Sequence, residues 1–358
     1  MEINRRDFFS FIAGSALFAS HALFGKTKIV NETLNDFNYQ TKDDAQEKVI
    51  LPKALKKGSL VAITAPASYT NIIECREAIN YFKNMGCKVE IGNTLNWNHI
   101  KYKYFSAPDE ERASEFMKFV TRDDVDCILC ARGGYGVMRI LPMIDFSEIR
   151  KHPKIIIGFS DITALINSVY CLSNVVSFHG SVASTSFNIF SKTHLTDVIF
   201  EKKNFTTQKI KYPTIQTINK GVAEGILVGG NLSMITSTLG TPYEISTKGN
   251  ILLIEEVSEE PYKIDRMLTQ LWLAGKLQDC AGIAFGYFKN LETKRDFYPG
   301  HSFTIREIIS NRVKQLGIPA ILGMPFGHTS DNITLPLGVP AQIDATNKTF
   351  TILSKAVS

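Results

Sequence analysis

The chain has 358 residues, 44% hydrophobic and 21% charged, with a net charge of +5. That length accommodates two domains with separate cores, and the composition is that of an ordinary globular protein, not a disordered or fibrous one. The positive excess is mild and interleaved with acids, with no basic run dense enough for a nucleic-acid groove, so no nucleic-acid partner is expected.

Asn4-Arg5-Arg6-Asp7-Phe8-Phe9 and the apolar stretch from Phe8 to Phe24 read as a twin-arginine-like export signal over residues 1–25, with removal expected near Ala22. The stretch is short for a membrane span and is broken by Gly14, so no stable span is expected after removal. The implied location is the periplasm. Residues 26–50 are polar and aperiodic and read as a linker or arm.

A regular alternation then begins, which sets the first domain over residues 51–188. Strands are expected at Leu60 to Ala65, Cys87 to Ile91, Val125 to Ala131, Ile155 to Gly158 and Val175 to Phe178. Helices are expected at Thr70 to Met85, from a capping Ser106 to about Val120, and at Ile162 to Tyr170. Strands alternating with helices predict an α/β fold with a mostly parallel sheet covered on both faces. Ligands of such sheets bind beyond the carboxyl ends of the strands.

Residues 189–212 are mostly polar and read as an interdomain linker. A second, strand-rich domain is expected over 213–358. It has strands at Gly221 to Val228, Asn250 to Ile254 and Ala281 to Phe285, helices at Pro261 to Gly275 and Ile305 to Leu316, and short strands from Ala320 to Leu353. The six cysteines are irregularly spaced for a disulfide framework. Cys127 and Cys130 lie within a strand and no second ligand pair accompanies them, so they read as small core residues, not as a zinc site.

Gly158-Phe159-Ser160-Asp161 ends one strand and opens a helix. A serine at such a turn projects its hydroxyl from the sheet beside the first helical N–H groups, which makes Ser160 a candidate nucleophile. The nucleophile-elbow pattern would place a glycine at Ile162, and the competing reading is an ordinary helix cap at Ser160 or Asp161.

A serine nucleophile needs a base, most often histidine, and the base needs an orienting acid. Of seven histidines, His179 follows a strand and His328 lies between an apolar run and a strand, and the pattern favours neither. Glu255 and Glu256 end the run Ile251 to Ile254, where alternation sends one toward a site and the other outward. The run Arg132-Gly133-Gly134-Tyr135-Gly136 follows a strand and lets backbone N–H groups approach a ligand. It lacks the dinucleotide and P-loop patterns, which discounts nucleotides.

Taken in order, Thr64-Ala65-Pro66-Ala67-Ser68, Ala131 to Gly136, Gly158 to Asp161, Gly229-Gly230-Asn231-Leu232, Ile254-Glu255-Glu256 and Gly327-His328-Thr329 resemble the LD-carboxypeptidase family of serine peptidases over roughly residues 55–355. The family includes murein tetrapeptide carboxypeptidases and microcin self-immunity hydrolases. The resemblance implies a catalytic triad of Ser160, Glu255 and His328, with serine from the first domain and its partners from a swivelling, β-rich second domain. It implies an oxyanion hole from the backbone N–H groups of Asp161 and Gly134, no metal or cofactor, and a homodimer.

The implied reaction removes the terminal D-alanine from a peptidoglycan tetrapeptide. Gly133 and Tyr135 would contribute to substrate binding, and Arg132 is a candidate for the terminal carboxylate because arginine binds carboxylates bidentately. The export signal points to remodelling of peptidoglycan in place more than to recycling. Two other readings remain. One is hydrolysis of another amide, such as a peptide–nucleotide conjugate stacked on Phe187, Phe190 or Phe200. The other is a murein-binding protein without chemistry.

Overall fold

The computed structural model describes residues 48–96, 104–200, 208–289 and 303–358. The export signal, most of the polar arm, His21, His99 and His301 lie outside them. In chain order the first part comprises β1 (Leu60–Thr64), α1 (Arg76–Asn84), β2 (Lys88–Ile91), α2 (Asp109–Thr121), β3 (Cys127–Cys130), α3 (Val137–Ile140), α4 (Phe146–Lys151), β4 (Ile155–Gly158), α5 (Thr163–Ser173), β5 (Ser177–His179) and α6 (Ile189–Ile199). There follow β6 (Gln208–Ile210), β7 (Gln216–Asn219), β8 (Val222–Asn231), α7 (Leu232–Ser237), β9 (Ile251–Val257), α8 (Pro261–Leu273), β10 (Gly282–Lys289) and α9 (Ile305–Val313). The chain ends with β11 (Ala320–Leu322), β12 (Leu335–Leu337), β13 (Pro340–Asp344) and β14 (Thr349–Ile352).

These strands form two sheets. The first has the order β12-β5-β4-β3-β1-β2. Its strands β1 to β5 run parallel, and β12 adds antiparallel to β5. β3 and β4 are buried at every position, as expected of strands covered on both faces. Cys127 and Cys130 are core residues of β3, and burial holds both thiols above their ordinary value. The second sheet is mixed and eight-stranded, with the order β6-β14-β13-β8-β9-β10-β11-β7.

In β9, Ile251 and Leu253 face the core shared with the first sheet, whereas Leu252 and Ile254 face a separate core beneath α8 and α9. The two-residue period of a strand therefore assigns its last side chains too. Glu255 continues the Leu253 side and Glu256 the Ile254 side.

Several expectations need correction. The helix expected from Thr70 begins only at Arg76, because Asn71 Oδ1 accepts from Glu74 N and holds the preceding residues in a turn. Ser106 does not cap α2. Its Oγ donates to Ala65 O over 2.5 Å, which binds the loop to the end of β1.

Residues 189–199, expected as part of an irregular linker, form helix α6. Asn188 caps it by accepting from Ser191 N, and Leu195, Val198 and Ile199 bury one side. Its Thr, Ser and β-branched residues are poor helix formers, so packing holds the helix more than propensity does.

Candidate active site

β4 ends at Gly158, and the chain turns at once into a short 3-10 segment over Ser160–Ile162 and then α5. A Cβ at Gly158 would lie 2.5 Å from Ile162 Cγ2. The side chain at 162 therefore fills the space that the absent Cβ at 158 leaves, and a second glycine is not needed for the turn. Ser160 has φ 64°, a left-handed conformation that side chains other than glycine rarely adopt. The capping alternative fails, because no side chain caps this segment. Ser160 Oγ instead donates to His328 Nε2 over 3.2 Å.

The second and third members come from the other sheet. Glu255, fully buried at the end of β9, accepts from His328 Nδ1 over 2.6 Å. This bond keeps the proton on Nδ1 and leaves Nε2 as the acceptor facing serine. Gly327 sets the loop that carries the histidine. It has φ 94°, its N–H donates to Asn332 Oδ1, and a Cβ there would lie 2.5 Å from Glu255 Oε2. The His328 ring packs on Phe159, with centroids 4.8 Å apart.

Of the two histidines left open by the sequence, His328 therefore reaches the serine. His179 is fully buried between Phe159 and Phe326, and burial lowers its pKa to about 4. One of the two glutamates was expected to point outward, but both are buried, Glu256 included. Glu256 accepts from Ser233 N and Oγ and from Asn231 Nδ2, and burial raises its pKa above the ordinary carboxylate value.

The glycine loop packs directly on the nucleophile turn. A Cβ at Gly133 would lie 2.7 Å from Ser160 Cβ, 3.0 Å from its Oγ and 3.3 Å from Asp161 N. Gly133 O accepts from Ser68 N. The Gly133–Gly134 peptide is trans, so Gly134 N–H is aimed away from Ser68. Tyr135 N donates to Ser68 Oγ over 3.0 Å. Arg132 and Tyr135 are exposed beside the loop; among the described residues Arg132 donates to Tyr69 O, at 3.5 Å, and Tyr135 stacks on Phe105.

Other residues bring the two halves of the site into register; of these the sequence marked Gly229 and Asn231, within a motif given no role, and did not mark Thr163 or Asn167. Asn167 Nδ2 donates to Gly229 O and its Oδ1 accepts from Gly229 N, both over 2.9 Å. Asn231 N donates to Thr163 Oγ1, while Asn231 Nδ2 donates to Glu255 Oε1. Helix α5, which starts at the nucleophile turn, is thus bonded to the end of β8 beside the glutamate. The available signal was Asn167, a lone amide within the apolar run Ile162 to Val169. The aromatic residues expected to stack a nucleotide do not form such a platform: Phe187 and Phe200 are buried, and Phe190 packs on His194 and Tyr212.

A hydroxyl that can pass its proton to an imidazole, with a buried carboxylate to stabilise the resulting imidazolium, is the working arrangement of serine hydrolases. Comparison with known proteins narrows that class. Residues 61–180 match the LD-carboxypeptidase N-terminal domain and residues 224–343 match the LD-carboxypeptidase C-terminal domain. The chain belongs to the LD-carboxypeptidase family.

It is 40% identical over 306 residues to a probable murein peptide carboxypeptidase of Bacillus subtilis, covering 84% of this chain and 93% of that protein. It is 28% identical to the microcin C7 self-immunity protein MccF of Escherichia coli, over 82% of this chain and 92% of that one. The crystal structure of muramoyltetrapeptide carboxypeptidase from Oxalobacter formigenes superposes with a TM-score of 0.70 and 29% identity, covering 83% of this chain and 99% of the other.

Proposed function

We propose that the protein is a serine LD-carboxypeptidase that removes the terminal D-alanine from murein tetrapeptide stems. The observation that carries this reading is the continuous Glu255–His328–Ser160 hydrogen-bonded series, with links of 2.6 and 3.2 Å. The murein substrate is favoured by the relative from Bacillus subtilis, which is named for murein peptides.

Ser160 Oγ attacks the carbonyl that joins the L-centre of the diamino acid to D-alanine, and its proton passes to His328 Nε2. Glu255 stabilises the imidazolium. The backbone N–H groups of Asp161 and Gly134 take the oxyanion. His328 then gives its proton to the departing D-alanine amine, and water releases the acyl-enzyme by the same route in reverse order. Arg132 takes the terminal carboxylate, and Gly133 and Tyr135 line the approach. Export would place this reaction in the periplasm, on peptidoglycan in place.

The test is D-alanine release from a purified disaccharide tetrapeptide, followed by mass spectrometry, for the full chain beside Ser160→Ala, with and without a chelator. The expected result is conversion to tripeptide that resists the chelator and disappears in the variant. A folded wild-type protein that releases no D-alanine would overturn the murein substrate and favour another amide, such as the peptide–nucleotide class suggested by the MccF relative.

A further inference from the structure

Two buried charged side chains close to the site, those of Arg112 and Asp161, have no part in the scheme above. Arg112 lies on α2 and is fully buried, in a stripe with Ala113, Phe116, Phe119 and Val120. A buried guanidinium needs a complete set of acceptors. Arg112 Nε donates to Ala107 O over 3.0 Å, Nη1 to Gly136 O over 2.9 Å and also to Pro66 O, and Nη2 to Asp109, which Arg139 holds from the other side. It therefore ties together the loops that follow β1 and β3 and the start of its own helix.

Asp161 is also buried, and its Oδ2 accepts from Val137 N over 2.9 Å. Gly136 C=O and Val137 N–H belong to one peptide group. That group is gripped at its oxygen by the Arg112 cation and at its nitrogen by the Asp161 carboxylate. Asp161 is also the residue whose backbone N–H is assigned above to the oxyanion. An ionised carboxylate so close to a developing oxyanion opposes the reaction unless a cation offsets it, and in a dry site the opposition is strong. Burial raises the Asp161 pKa, and the Arg112 charge acts against that rise.

We propose that Arg112 and Asp161 form a positioning pair for the reaction. Together they clamp the Gly136–Val137 peptide, hold the glycine loop against Ser160, and cancel the charge that Asp161 alone would place beside the oxyanion. The role rests on the oxyanion assignment made under the proposed function.

A double-mutant cycle on the full chain tests it, with two readouts: kcat and KM for the disaccharide tetrapeptide, and the rate at which a fluorophosphonate probe labels Ser160. Labelling requires no murein specificity, so it reports on the pair even if the murein substrate is wrong. Arg112→Gln is expected to lower kcat and the labelling rate by about 10²-fold with KM within about threefold, the size of losing one oxyanion interaction. Asp161→Asn keeps an acceptor for Val137 N–H but removes the charge, and is expected to lose activity and labelling rate by clearly less than Arg112→Gln, about tenfold at most. The double variant is expected to recover to within about fivefold of Asp161→Asn, which is coupling between the sites.

Arg112→Lys keeps the charge and loses the fork. It is expected to melt at a lower temperature yet retain kcat within about tenfold. Losses that simply multiply in the double variant would show that Arg112 is structural only and overturn the proposal. If Arg112→Gln does not fold, a folded Arg112→Lys or Asp161→Asn that loses 10²-fold or more would overturn it as well.

Discussion

The two halves of the site are built from different materials. The half from the first sheet works through backbone: a serine at φ 64° and a glycine loop packed so closely on it that a Cβ at Gly133 would lie 3.0 Å from the serine hydroxyl. The half from the second sheet works through ionisable side chains, with Glu255 and Glu256 buried side by side and an imidazole on the first of them. Shape is fixed on one side and charge on the other, and the Asn167–Gly229 and Thr163–Asn231 bonds join them. The division teaches that such a site can fail in two ways, by misplaced backbone or by a lost charge.

Substitutions separate those two failures. The largest effect is expected at Ser160→Ala, where kcat for D-alanine release falls by at least about 10⁴-fold while stability changes little, because alanine keeps the Cβ and with it the strain of φ 64°. On the charged side, Glu255→Gln is expected to lower kcat by about 10³- to 10⁴-fold with little change in KM, because the imidazole loses both its orientation and its counter-charge. Steady-state kinetics on the tetrapeptide reads both. An effect under tenfold at Glu255 would break the comparison, since the second half would then supply no essential charge.

Gly133→Ala probes the backbone side without touching an ionisable group. Its methyl would sit 2.7 Å from Ser160 Cβ, so the nucleophile or the loop must shift. A loss of about 10²-fold in kcat is expected, the scale of a small misplacement, together with a melting temperature lowered by the overpacking.

The smallest effect concerns stability at the seam. Burial lowers the His179 pKa from 6.5 to about 4. Between those values the unfolded chain binds the proton and the folded one does not, so stability is full above about 6.5 and falls as the pH drops toward 4. The loss amounts to roughly 3 kcal/mol at most. His179→Phe is expected to flatten that acid limb in melts recorded from pH 7 to pH 4.5. A variant whose melting temperature falls as steeply as wild type would place the sensitivity elsewhere.

The sequence carried the strand order of events well. The run Ile155 to Gly158, the turn at Ser160 and the glycines at 133 and 134 are local signals, and each declares its geometry through residue type alone. The choice between Glu255 and Glu256 was legible only as an alternation; which side faced the site depended on which core Ile251 and Leu253 would join. Arg112 and Asn167 were harder. Each reads locally as a polar residue that happens to fall within a helix, and each acquires meaning only from carbonyls contributed by other loops and from the close approach of β8 at Gly229. Helix α6 was missed because its residues favour helix weakly and tertiary contact decides its state.

The path of the chain after β11 has a consequence for biosynthesis. Residues 320–322 belong to the second sheet, yet β12 at 335–337 returns to close the edge of the first, and His328 lies on the crossing between them. A ribosome that has released only the first three hundred residues has already delivered Ser160 and Glu255, but no base to activate the serine and no edge strand beside β5. On the mechanism proposed above, reactivity would be withheld until nearly the whole polypeptide has emerged, and a prematurely terminated product would carry an inert nucleophile.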